Sequence, residues 1–198
     1  MGSPTAQSGS DVVSVLVHDH REVEEMFTRL ERMASAGSGA HAGTLDARKT
    51  LVDQVIIELV RHAVAEEQHV YPLYRRVLPD GDAFIERELS EHSDAEKTMD
   101  ELDKMDAGDP RFEDKLGHLM AVIREHIAEE EGELFPKLQA AVSAEELEEL
   151  GGKVSTAKKL APTRPHPLSP DHPPFNKVLD TGAGLVDRLR DAITGRGK

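Results

Sequence analysis

The sequence predicts an all-α protein: an up-down-up-down four-helix bundle with a C-terminal Pro-rich linker and short helix. Three observations carry this. Four long stretches place apolar residues at steps of three and four, the spacing of one helix face. The connections between them are short and rich in turn residues, so neighbouring helices run antiparallel. The chain also repeats itself. His62-Ala63-Val64-Ala65-Glu66-Glu67, followed by Tyr71-Pro72-Leu73, returns as His126-Ile127-Ala128-Glu129-Glu130-Glu131, followed by Phe135-Pro136-Lys137-Leu138.

Ser10 or Asp11 can cap the first helix. Its stripe is Val12, Leu16, His20, Val23, Phe27, Leu30 and Ala34, and Gly37 and Gly39 end it. Thr44 can cap the second, with the stripe Val52, Val55, Leu59, His62, Glu66, Leu73 and Val77. Pro72 falls inside that pattern and should kink the helix or end its regular part. Pro79-Asp80-Gly81 is a turn. Asp82 can cap the third helix, whose stripe is Ile85, Leu89, His92, Glu96, Met99 and Leu102 before Gly108 stops it. Asp109 and Pro110 read as the N-cap and first turn of the fourth. Its stripe is Phe112, Leu116, Leu119, Ile123, His126, Glu130, Leu134 and Leu138, disturbed at Pro136.

Ser143 and Glu146 form a capping-box signature for a short acidic helix ending near Gly151. Prolines 162, 165, 167, 170, 173 and 174 mark an extended linker. Val178, Leu185, Leu189 and Ile193 then mark a small amphipathic helix. The expected divisions are a disordered leader at 1–10, the bundle at 11–141, a short acidic helical extension at 142–160, and the Pro-rich linker and short helix at 161–198. The linker should leave the last helix dispensable for any site in the bundle.

Composition narrows the function. The 198 residues carry a formal net charge of −14. No basic patch dominates, so nucleic acid is not an expected partner. With no cysteine, disulfides, thiolate–zinc sites, iron–sulfur clusters and cysteine nucleophiles are excluded. No stretch approaches the ~20 apolar residues that span a bilayer. The leader lacks the charged start and apolar run of a signal peptide. A cytoplasmic protein is the expectation, and the sequence leaves its oligomeric state open.

A His and a Glu four apart on a helix lie one above the other on one face. The spacing alone is weak, because 38 of the 198 residues are acidic. His18 and Glu22 share it away from the apolar stripe and read as solvated. Position discriminates. His20, His62, His92 and His126 each sit on the core stripe of a different helix, and Glu66, Glu96 and Glu130 sit there too. Buried carboxylates without a partner cost several kcal/mol each. A cation removes that cost and turns it into binding energy.

Imidazole and carboxylate without thiolate, in excess of the four ligands zinc prefers, point to two first-row ions sharing carboxylates, iron first among them. Magnesium and calcium would want oxygen alone. No role is assigned to His41 or His118. His69, Tyr71 and Tyr74 read as packing residues, and Glu67 and Glu131 as surface residues one step round the helix from the stripe.

Asp19-His20-Arg21, His62-x-x-x-Glu66-Glu67, Glu91-His92 and His126-x-x-x-Glu130-Glu131, in this order, resemble the hemerythrin-like, His-His-Glu cation-binding family. The resemblance covers roughly residues 11–141. It implies a four-helix bundle around a non-haem di-iron centre, oxo- or hydroxo-bridged. It implies that Glu66 and Glu130 bridge, that His20 and His62 hold one iron, and that His92 and His126 hold the other. The sequence departs from the oxygen-carrying hemerythrins at two places. Glu96 stands where they have a second His on the third helix, and Glu130 stands where they have an Asp five residues after its His. Glu96 either ligates or holds His92 from behind. The function implied is binding of or reaction with O2, peroxide or NO. An iron storage or homeostasis role and a peroxide-consuming di-iron enzyme are the alternatives, and whether the chain is an enzyme stays open.

Overall fold

The computed structural model describes residues 10–35 and 42–166. The leader at 1–9, Gly37, Gly39, His41 and the small helix expected near 178–193 lie outside them. The described residues form an all-α bundle without strands. Its α-helical segments are α1 Val12–Ser35, α2 Ala42–Ala65, α3 Tyr71–Val77, α4 Gly81–Lys104, α5 Phe112–Glu129, α6 Phe135–Ala141 and α7 Ala144–Leu160. α2 runs into α3, and α5 into α6, through π-helical turns at Glu66–Val70 and Glu130–Leu134. The bundle therefore has four long rods, with α7 packed outside them against α1 and α2.

The apolar stripes divide into two cores. One holds Val23, Phe27, Leu30, Val52, Val55, Leu59, Met99, Leu102, Phe112, Leu119 and Ile123. The other holds Val12, Leu16, Val70, Tyr71, Tyr74, Ile85, Leu134, Phe135, Leu138 and, from α7, Leu147, Leu150 and Val154. Along every rod the histidine on the stripe falls between these two sets. The rods are thus held together above and below a buried polar layer.

The caps refine the sequence reading. Asp11 caps α1, its Oδ1 accepting from Ser14 N at 3.0 Å. Thr44 lies inside α2 rather than at its cap. α4 begins at Gly81, so Asp82 sits in its first turn, where a negative charge meets the positive end of the helix dipole. α4 ends at Lys104, before Gly108. α5 begins at Phe112. Asp109 shapes the turn before it, accepting from Arg111 N at 2.8 Å, and is not its cap. Ser143 caps α7 as expected, accepting from Glu146 N at 3.3 Å.

The regular α-helix of the second and fourth rods ends just before the proline, as expected, in a π turn. Each rod widens there. The N–H of Tyr71 donates to the Glu66 carbonyl and the N–H of Phe135 to the Glu130 carbonyl, five residues back. The proline then sits in the first turn of the resumed helix, where a missing N–H matters least.

α7 does not stop at Gly151. It continues to Leu160, and Gly151 faces the N-terminus of α1 at close range. A Cβ there would lie 2.2 Å from Ser10 O and 2.9 Å from Asp11 C, both backbone. At Gly152 it would meet nothing within 4 Å. Opposite outcomes follow. Gly152→Ala should stabilise by about 0.5–1 kcal/mol through helix propensity. Gly151→Ala should destabilise by about 1–3 kcal/mol, because backbone must shift. Urea denaturation of both variants measures the signs.

After α7 the chain lies on the bundle. Ala161, Pro162, Thr163 and Pro165 are buried. Arg164 pairs with Asp103 on α4 at 2.9 Å, and His166 N donates to Glu96 Oε1 at 2.7 Å. No described helix is long and apolar enough to cross a membrane.

Candidate metal centre

The polar layer is built by the periodicity described above. His20 comes from α1, His62 from the end of α2, His92 from the middle of α4 and His126 from the end of α5. Glu66 and Glu130 open the two π turns, one helical turn after His62 and His126. π turns of this kind recur at functional sites. Both carboxylates are fully buried, and three of the imidazoles are nearly so.

The Nε2 atoms face inward. His20 Nε2 lies 3.2 Å from Glu130 Oε2, and His62 Nε2 lies 3.2 Å from Glu66 Oε2 and 4.0 Å from Glu130 Oε2. His92 Nε2 is 3.8 Å from Glu66 Oε2 and 3.3 Å from His126 Nε2, which is 3.6 Å from Glu130 Oε2. Two of the three ligand-sized groups among the described residues lie here: His20 with His62 and Glu130, and Glu66 with His92 and His126, the donor atoms of each within 4.8 Å of one another; the third is Glu88 and Glu91 with His126.

The Nδ1 atoms face outward, each toward a carboxylate. His20 meets Glu131 at 3.0 Å and His92 meets Glu67 at 3.0 Å. His62 meets Asp19 at 3.3 Å, and His126 meets Glu88 at 3.4 Å and Glu91 at 3.7 Å. A carboxylate behind an imidazole fixes its orientation and strengthens its inner nitrogen as a donor to metal. Glu67 and Glu131 are therefore not the surface residues the helix wheel suggests. The wider π turn rotates successive residues by less than the ~100° of an α-helix, so the second Glu of each pair stays near the inner side.

Glu96 is not brought into either group; its carboxylate accepts from His166 N. Glu24, which follows His20 by four residues as Glu96 follows His92, pairs with Arg124 at 2.7 Å. Sequence reasoning missed Glu88. It is fully buried four residues before His92, where α1 carries Leu16 four residues before His20. The Tyr71 hydroxyl lies 3.0 Å from His92 Nε2, whereas its counterpart Phe135 stacks on His20 at 5.7 Å. His18 is exposed beside Glu22, and His118 is exposed.

The electrostatics are those of a site short of positive charge. Burial presses His62 toward neutrality, but Glu66, the Asp19 bond and Glu130 outweigh it and hold its pKa well above the ordinary value. His126 is raised to about 9 against its burial, by Glu130, Glu91 and Glu66. Burial and the charge of His126 hold His92 well below the ordinary value. Burial and the nearby Glu130 push Glu66 up. Glu130 is held low against its burial by His126, His20 and His62. Burial lifts Glu88 to about 7.

Both oxygens of Glu66, both oxygens of Glu130 and the Nε2 atoms of His20 and His62 are buried without a hydrogen-bond partner. Unsatisfied atoms of this kind are costly in a protein interior. Four imidazoles and two carboxylates turned on one another form a donor set that cations of the first transition row satisfy. The residues present fit such ions.

A partly open cavity of about 40 Å³ adjoins the layer on the side of the first core, lined by Val23, Leu59, Ala95, Met99, Ile123 and Ile127 and bordered by the four imidazoles, Asp19 and Glu91. Its walls are apolar.

The fold and the site together define a helical-bundle protein with a buried histidine–carboxylate cation site. The sequence matches the hemerythrin HHE cation-binding domain over residues 11–138, and the chain belongs to that family. It is similar to an uncharacterized hemerythrin-like protein of Schizosaccharomyces pombe, 29% identical over 183 residues that cover 92% of this chain and 86% of that one. It is also similar to a DNA nickase of a Nostoc species, 27% identical over 166 residues, 80% of this chain but 43% of that protein. No solved structure matches.

Proposed function

We propose that this protein holds two non-haem iron ions in the polar layer and binds or reacts with a small ligand: O2, peroxide or NO. One observation carries the reading: four imidazoles, one per rod, turn Nε2 toward two buried carboxylates that have no hydrogen-bond partner. In this proposal His20 and His62 hold one ion, His92 and His126 hold the other, and Glu66 and Glu130 are shared. Glu96 takes no part. Iron in such a site supplies one-electron chemistry and a position for a small exogenous ligand.

The protein's own contribution is selection. A water-sized void needs ~10–15 Å³, so a cavity of about 40 Å³ has room for a two- or three-atom guest and none for a metabolite. Its largely apolar walls favour a guest of low polarity. The Tyr71 hydroxyl, held protonated by burial and the surrounding carboxylates, is a hydrogen-bond donor within the layer. So small a cavity gives no room for stored mineral, which favours ligand binding over storage. The match covers 43% of the Nostoc DNA nickase, and the net charge of −14 on this chain does not favour a nucleic-acid partner. A cytoplasmic location is part of the proposal.

The test is iron content per chain after expression with ample iron, with absorption spectra of the reduced protein before and after adding O2, peroxide or NO. The expected result is two irons and a spectrum that changes with at least one of the three. One zinc and no iron would overturn the reading.

A further inference from the structure

The five carboxylates behind the imidazoles are not equally supported. Glu131 is bonded by Arg21 at 2.9 Å, and Glu88 and Glu91 lie 3.4 and 3.8 Å from Arg87. Both arginines are on the surface, 63% and 51% exposed. Asp19 is different. It is 5% exposed, and its partner is Lys158, itself only 17% exposed. Oδ1 of Asp19 accepts from Lys158 Nζ while Oδ2 faces His62 Nδ1 at 3.3 Å. Lys158 lies on α7, beyond the residues 11–138 of the family match.

α7 is seated so that Lys158 arrives there. Ser143 caps its start, and Leu147, Leu150, Val154 and Ala157 bury its inner face. The bare backbone of Gly151 lets it close on Ser10 to Val12. The repeat supplies no counterpart: among the described residues no helix packs behind Glu91 as α7 packs behind Asp19.

We propose that Lys158 is a positioning residue of the metal centre, acting through Asp19 to fix the His62 ring and to set a largely buried positive charge beside the ion that His20 and His62 would hold, so that the two metal positions are unequal. This rests on the two-ion reading above. Two effects run in the same direction. A cation on Asp19 weakens it as an acceptor, so His62 gives less electron density to its ion. The same cation, only 17% exposed to solvent, opposes the more highly charged oxidation state. Both raise the reduction potential of the ion on the His20 and His62 side.

The test uses the full chain loaded with ⁵⁷Fe, as wild type, Lys158→Met, Lys158→Arg and, as the exposed control, Arg21→Met. A reductive titration is followed by Mössbauer spectroscopy, which resolves the two irons. Lys158→Met should shift one reduction step about tenfold toward the oxidised state, about 59 mV for one electron, and leave the other in place. Lys158→Arg should restore both steps, and Arg21→Met should move neither by more than about threefold. Two irons with both steps unmoved in Lys158→Met, or moved together, would overturn the proposal and leave the two-ion reading standing. If Lys158→Met loses its iron, Lys158→Arg decides: it must keep both irons and both steps, and failure overturns the proposal. A wild-type chain without iron overturns both readings.

Discussion

His62→Ala and His126→Ala are each expected to lose most of the bound iron, while His18→Ala and Glu96→Ala keep it. The first two remove an inward Nε2 from a rod that also carries one of the buried carboxylates, so a group of three donors is cut to two. They also leave Asp19, or Glu88 and Glu91, facing a hole. Loss of a residue that only orients a ligand typically lowers metal affinity 10–100-fold, and loss of the ligand itself should cost at least as much. Glu131→Gln, which keeps shape but weakens the acceptor behind His20, should fall in that intermediate range. His18 is exposed, and Glu96 is bonded to the segment after α7, so neither change touches the layer. Elemental analysis of purified variants, with helix content checked by circular dichroism, reads the ranking. Wild-type iron in His62→Ala and His126→Ala would mean that these imidazoles are packing residues. Iron loss in Glu96→Ala would restore Glu96 as a ligand.

The histidines were legible because the α-helical period holds without interruption up to each of them. A polar residue on an otherwise apolar stripe, once per rod, is a pattern one sequence can display. Legibility fails where the period changes. Glu67 and Glu131 follow the start of a π turn, and no rule of 3.6 residues per turn brings them behind an imidazole on another rod. Glu96 fails in the opposite way. It keeps the period, but its stripe is wide, and its partner His166 lies 70 residues on.

Glu88 escaped because the repeat offered no precedent for it. The second half of the chain copies the motif of the first but not its surroundings. Leu16 answers to Glu88, Phe135 to Tyr71 and Leu138 to Tyr74. The rods are nearly symmetric as a scaffold, and the polar layer they enclose is not. That asymmetry lies in side chains that are apolar in one copy and polar in the other. A search for repeated motifs passes over them for that reason. The course of α7 was hidden by a different ambiguity. Two consecutive glycines read as a stop, yet Gly151 serves a close approach between helices. Only the position of the α1 N-terminus distinguishes the two.

Stripping the metal is expected to lower the melting temperature by roughly 8–16 °C and to broaden the transition, without abolishing helix. A ligand that binds only the folded state stabilises it by RT ln(1 + [L]/Kd), about 4 kcal/mol at a thousandfold excess over Kd. For a chain of this size each kcal/mol moves the melting temperature by ~2–4 °C. Helix should persist because the two apolar cores lie on either side of the polar layer and do not depend on it. The gap should also depend on pH. In the stripped protein His126 has a folded pKa of about 9, above the ordinary 6.5, so its contribution is fully present below 6.5 and is lost as pH rises through 9. His62 is raised in the same direction. Glu88, at about 7 against the ordinary 4.5, favours the folded state when protonated and loses that advantage as pH rises through 7. His126 thus makes the stripped protein less stable from about pH 6.5 to pH 9, His62 acts in the same direction, and Glu88 adds its part between about pH 4.5 and pH 7. In the loaded protein a metal stands where the imidazoles would otherwise hold protons, so its stability should change less over that range. Melting curves by circular dichroism at pH 6, 7.5 and 9, on loaded protein and on protein stripped by reduction and chelation, test both parts. Coincident curves at every pH, with metal loss confirmed, would mean that these buried groups are accommodated without a cation. A constant gap would mean that protons and metal do not compete for the same nitrogens.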